Sequence, residues 1–182
     1  MKFVAGRRQL LKAAIVPAAG VTPIAFVRDA AADAPPPASR QYFTADEFTW
    51  VEAAVDRLIP QDALGPGAKE AGVAVFIDRQ LAGPYGRAET WYMQGPWKEG
   101  TDQQGYQLKL TPAALYRAAI VDIDAHSRAA NQGNAFAALD AGAQDALLHA
   151  LEDGKVELAR VPAKAFFDML LQNTIEGFLA DP

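Results

Sequence analysis

Asp122 and His126 are the residues best spaced for acid–base or metal chemistry in this sequence. Side chains at i and i+4 meet on one face of a helix, so the two can pair or share a metal ion. No second histidine lies within a turn to complete a ligand set, and a helix-surface ion pair is the competing reading. The other histidine, His149 beside Leu148, reads as partly buried or solvent-facing. Nucleophilic chemistry has equally little to work with: Ser39 sits in a proline stretch and Ser127 follows His126, neither within a Gly-x-Ser-x-Gly elbow. Gly65-Pro66-Gly67 reads as a turn, unlike the Gly-x-Gly-x-x-Gly phosphate cradle. Glu89, Glu99 and Asp102 can be imagined as a carboxylate pair, but scattered acids in a polar segment are ordinarily just solvated. With no cysteine, thiolate-held haem, iron–sulfur clusters, cysteine zinc sites and Cys-x-x-Cys-His haem attachment are excluded. No catalytic, cofactor-binding or metal-binding set is expected of this chain.

Aromatic residues carry more information. Trp91, Tyr92, Trp97 and Tyr106 fall within Gly83–Leu110, a glycine-rich stretch with little periodicity. A loop this long is uncommon in a compact domain and usually carries function or is ordered from outside itself. Large aromatics are enriched at protein interfaces, so these four are the candidate partner-binding residues. Folding back over the domain's own core is the equal alternative.

The elements that would position this loop are helical. Thr44-Ala45-Asp46-Glu47 is a capping box, after which Phe48, Val51, Ala54, Val55 and Leu58 recur at helical spacing until Pro60. Pro60–Gly67 reads as a loop, and Gly72–Leu81 as a short amphipathic helix stopped by Gly83-Pro84-Tyr85-Gly86. Thr111-Pro112 caps and opens a helix to about Ala130, Asp140 caps an alanine-rich run ending at Asp153-Gly154, and Pro162 opens a last helix. No alternating strand of useful length is present. The expected fold is all-α, a single irregular domain of about five helices over residues 42–182, with the long aromatic loop between the second and third.

Ahead of the domain, Gly6-Arg7-Arg8-Gln9-Leu10-Leu11-Lys12 and the apolar run to Val27 read as a twin-arginine export signal, with Arg7 and Arg8 its defining pair. The run is interrupted by Pro17, Gly20 and Pro23 and is shorter than the roughly 20 residues of a spanning helix. Cleavage after Ala32 is expected, giving a signal over residues 1–32 and a proline-rich linker over 33–41. Retention as an anchor and a merely amphipathic N-terminal helix are the alternatives. Removing those 32 residues takes away five basic residues and one acid, and the formal net charge goes from −5 to −9. So acidic a chain is a poor partner for nucleic acid or an anionic membrane surface.

Leu58-Ile59-Pro60-Gln61-Asp62 and Gly65–Gly72, leading to Phe76-Ile77-Asp78, resemble the N-terminal signature of the small subunit of bacterial gluconate 2-dehydrogenase. Phe166-Phe167, Leu170–Thr174 and Glu176–Pro182 are similar to that family's C-terminal block, so the resemblance spans roughly Tyr42 to Pro182. Family members usually continue past Asp-Pro with Tyr-Gly-Gly-Asn, whereas this sequence stops at Pro182, which leaves a truncated and a short form both open. The resemblance implies an accessory subunit, exported through the Tat machinery to the periplasm with a flavin-dependent dehydrogenase large subunit. It further implies a membrane-bound multihaem cytochrome c, so that FAD and haem c lie in other subunits and membrane contact is indirect. Two other classes stay open: a soluble periplasmic sugar-binding protein and a self-sufficient exported enzyme. The substrate of the complex, whether gluconate, 2-ketogluconate or another sugar or polyol, would be set by another polypeptide.

Overall fold

The computed structural model describes residues 40–98, 100–101 and 104–180. The expected signal, the linker before Arg40, Glu99, Asp102 and the last two residues lie outside them. Five helices follow in order: α1 Ala45–Leu58, α2 Val73–Ala82, α3 Pro112–Ala130, α4 Ala141–Glu152 and α5 Ala163–Ala180, with a 3-10 turn at Phe136–Ala138 before α4. Among the described residues there is no strand; Asp62 and Gly65 form one isolated antiparallel bridge. The domain is all-α, as its periodicity predicts.

Local chemistry explains the boundaries. Thr44 Oγ1 accepts the Glu47 N–H at 3.3 Å while Glu47 Oε2 accepts the Thr44 N–H at 2.8 Å, so the capping box closes at the start of α1. Thr111 and Asp140 accept the N–H groups of Ala114 and Ala143 and start α3 and α4 in the same way. Gly72 opens α2 at φ 74°, a left-handed conformation that costs glycine nothing. Between α1 and α2, Gly67 passes so close to its neighbours that a Cβ there would lie 2.5 Å from Gln61 N. The Gly-Pro-Gly segment is thus a tight structural turn.

Helices α1 and α5 each pack against all the other helices, and the core lies between them. Trp50 of α1 sits against Phe136 and Phe166 with ring centres 4.8 and 5.8 Å apart, and Tyr116 of α3 meets Phe166 edge-on at 5.3 Å. Such offset and edge contacts suit the ring quadrupoles. Arg57 of α1 and Asp145 of α4 add a two-pronged ion pair at 2.7 and 2.9 Å.

Candidate functional site: the aromatic loop

The chain leaves α2 at Gly83 and returns at Thr111 to start α3, and both ends of this excursion are locked. Gly86 donates its N–H to Gln80 O at 3.1 Å and accepts the Ala113 N–H at 3.1 Å. A Cβ on Gly86 would fall 1.9 Å from Leu81 O, so only glycine lets the two backbones come this close. Arg87 folds back to donate to Ala82 O at 2.8 Å.

Above this base the aromatics divide into two pairs. Trp91 and Tyr106 turn inward: their rings meet edge-on at 5.0 Å, and Trp91 meets Tyr85 edge-on at 5.7 Å. Tyr85 hydroxyl donates to Asn173 Oδ1 at 2.9 Å, and Asn173 Nδ2 donates to the buried Tyr116 hydroxyl at 3.0 Å. The loop is thereby tied through a polar chain to α5 and α3. Tyr106 hydroxyl donates to Leu110 O at 2.5 Å. Burial pushes the phenols of Tyr85, Tyr106 and Tyr116 up, which keeps all three hydroxyls neutral, those of Tyr85 and Tyr106 as donors and that of Tyr116 as the acceptor from Asn173.

Tyr92 and Trp97 face outward, with 79% and 41% of their surface exposed. Together with Trp91, Met93, Tyr106 and Gln107 they border a cleft of about 420 Å³, with no charged side chain among the described residues that line it. Its far wall is braced by local bonds, Gln104 Oε1 accepting the Thr101 N–H at 2.7 Å and Gln107 Nε2 donating to Gln104 O at 2.8 Å. The four aromatics therefore share one loop but meet different surroundings: Trp91 and Tyr106 cover the domain, and Tyr92 and Trp97 do not.

The residues considered for catalysis are not brought together. Asp122 is buried and accepts the Arg160 N–H at 2.7 Å, with the Arg160 guanidinium 3.2 Å away; His126, four residues on, is exposed. The helical pairing is displaced because Asp122 turns toward the α4–α5 connection, where a buried carboxylate finds both a backbone donor and a cation. His149 stands 3.3 Å from Glu152 on the surface. Ser127 is buried, its hydroxyl donating to Asn134 O at 2.8 Å, and Glu89 is paired with Arg87 at 2.7 Å. Among the described residues no group of three His, Cys, Asp or Glu is arranged to hold a metal ion, and no helix is long and apolar enough to cross a membrane.

One residue that sequence reasoning passed over is Asp78 of α2, buried and accepting three consecutive backbone N–H groups, those of Gln41, Tyr42 and Phe43. Its signal was an acid on the apolar face of α2, one turn from Ala74 and beside Ile77. A charge there must have partners.

No match to this chain was found among curated proteins or among solved structures. Comparison with protein families matches residues 45–182 to gluconate 2-dehydrogenase subunit 3, in agreement with the resemblance carried by the Leu58–Asp78 and C-terminal motifs. Since that match runs through every helix of the domain, the chain belongs to the gluconate 2-dehydrogenase subunit 3 family.

Proposed function

We propose that this chain is the non-catalytic small subunit of a periplasmic, FAD-dependent gluconate 2-dehydrogenase-type complex, and that it binds, stabilises and co-exports the flavoprotein large subunit. Family membership supports the coarser part, an accessory subunit of such a complex. The observation that supports partner binding is the outward pair Tyr92 and Trp97, held on a loop whose root is bonded to the core. Exposed aromatics on a rigid support lose little freedom on docking, which is what an interface anchor requires. Neither redox group fits the residues of this chain. Covalent haem attachment needs cysteine, which it lacks, and a flavin dinucleotide fingerprint needs a glycine-rich strand-to-helix turn, which its sequence does not contain. On this reading, which follows the family resemblance, FAD belongs to the large subunit and haem c to the cytochrome subunit that receives the electrons.

On this reading the large subunit carries no export signal, acquires FAD before export and leaves bound to this chain, with Arg7 and Arg8 addressing both. The test is to co-express the two chains and replace Arg7-Arg8 by Lys-Lys. Flavoprotein activity should disappear from the periplasm while the two chains still co-purify from the cytoplasm. Normal periplasmic activity overturns the co-export reading, and failure to co-purify overturns partner binding.

A further inference from the structure

The first residues of the domain are gripped by groups far away in sequence. Asp78 Oδ2 accepts the Gln41 N–H at 2.6 Å, and Oδ1 accepts those of Tyr42 at 3.0 Å and Phe43 at 2.8 Å. These are charge-assisted bonds, made by a carboxylate only 2% exposed. Tyr42 hydroxyl donates to Ala113 O at 2.5 Å. Arg117 lies 4.3 Å from the centre of the Tyr42 ring and donates to Tyr42 O at 3.1 Å and to Glu47 Oε1 at 3.2 Å. Phe43 is buried against Tyr116. Asp78 belongs to α2, Ala113, Tyr116 and Arg117 to α3, and Glu47 to α1. Two helices distant in sequence, α2 and α3, thus hold one tripeptide, with Glu47 of α1 bracing Arg117 behind it, and an unassembled chain has no local substitute for them.

We propose that Asp78 is the catch of a folding-dependent latch on the N-terminal arm. Once α2 and α3 have packed together, the latch fixes residues 41–43, so that the exposed Arg40–Gln41 bond cannot be drawn into a protease's extended grip. Before assembly residues 41–43 have no such partners and that bond is open to attack. The link to export rests on reading Arg7-Arg8 as an export signal for folded cargo. The protection itself does not, because a protease must draw several residues on each side of its target bond into an extended strand, and here the three that follow the bond are engaged.

The full-length chain is digested with trypsin, which cuts after the exposed Arg40, and cleavage at Arg40–Gln41 is followed by mass spectrometry. Asp78→Asn sets an amide donor among backbone donors and removes the charge, so cleavage should quicken about tenfold or more while helicity persists. Tyr42→Phe, which leaves Asp78 in place, should quicken it several-fold. Equal cleavage rates in all three folded proteins overturn the latch, and if Asp78→Asn loses its helicity, an unchanged rate in Tyr42→Phe does so alone. Export of this chain expressed without a large subunit should fall at least about threefold in the variant with the faster cleavage. Unchanged export overturns the coupling, and with no large subunit present that failure is separate from any failure of co-export.

Discussion

Replacing both Tyr92 and Trp97 by alanine should weaken binding of the large subunit strongly and leave the isolated domain as stable as before. Their exposures of 79% and 41% leave on the order of 250 Å² of aromatic surface outside the fold. At about 25 cal/mol per Å², full burial is worth about 6 kcal/mol. Partial coverage by the partner and the cost of ordering two side chains reduce this to about 2–3 kcal/mol, a loss of about 30- to 150-fold in Kd. Titration calorimetry of the purified subunits measures the Kd, and a thermal melt of the variant measures its fold. Trp91→Ala is the contrasting perturbation: it removes the edge contacts with Tyr85 and Tyr106 and should lower stability by about 1.5–3 kcal/mol. A double variant that melts normally and binds within threefold of the parent refutes the docking role of Tyr92 and Trp97. A double variant that melts as early as Trp91→Ala refutes their separation from the core.

Three further outcomes are expected. Asp122→Ala should cost about 2 kcal/mol by stripping the Arg160 N–H of its acceptor, whereas His126→Ala should leave Tm unchanged; equal shifts would restore a working Asp122–His126 pair. Gly86→Ala should cost at least about 1–3 kcal/mol, seen in a denaturant melt, since its Cβ meets the backbone of Leu81; a neutral change would show that the loop root can shift. Burial raises the folded-state phenol pKa of Tyr42, Tyr85, Tyr106 and Tyr116, so their contribution to stability is complete below about pH 10, the unfolded value, and is lost as pH rises above it. Tyr85→Phe should flatten that alkaline decline in unfolding free energy, and an unchanged slope would refute the assignment.

Helix starts and stops were legible because they depend on neighbours. The Thr44 box, the Thr111 and Asp140 caps and Pro60 act within four residues, and each lies where its chemistry indicates. Long-range partners were not legible. Asp122 was visible as a possible mate for His126 at i+4, but its observed partner lies 38 residues on, in a connection with no periodic signature. The donors to Asp78 lie 35 to 37 residues before it. The loop aromatics could be found by composition, but their division into inward and outward pairs depends on Asn173 of α5, which receives Tyr85 across 88 residues.

The three tryptophans occupy three different media. Trp50 is sealed in the core, where no group among the described residues partners its indole N–H, Trp91 is half-buried between two phenol rings, and Trp97 is the most exposed of the three, with 41% of its surface open to water. Indole emission moves to longer wavelength as polar surroundings relax around the excited ring, so the native spectrum is a sum of a blue, a middle and a red component. A partner seated on the cleft would act on Trp97 and on the cleft-lining Trp91, would shield Trp97 from iodide, and would leave the blue component of Trp50 unmoved. Melting would move all three together, and the chain thus carries its own optical means of telling docking from unfolding.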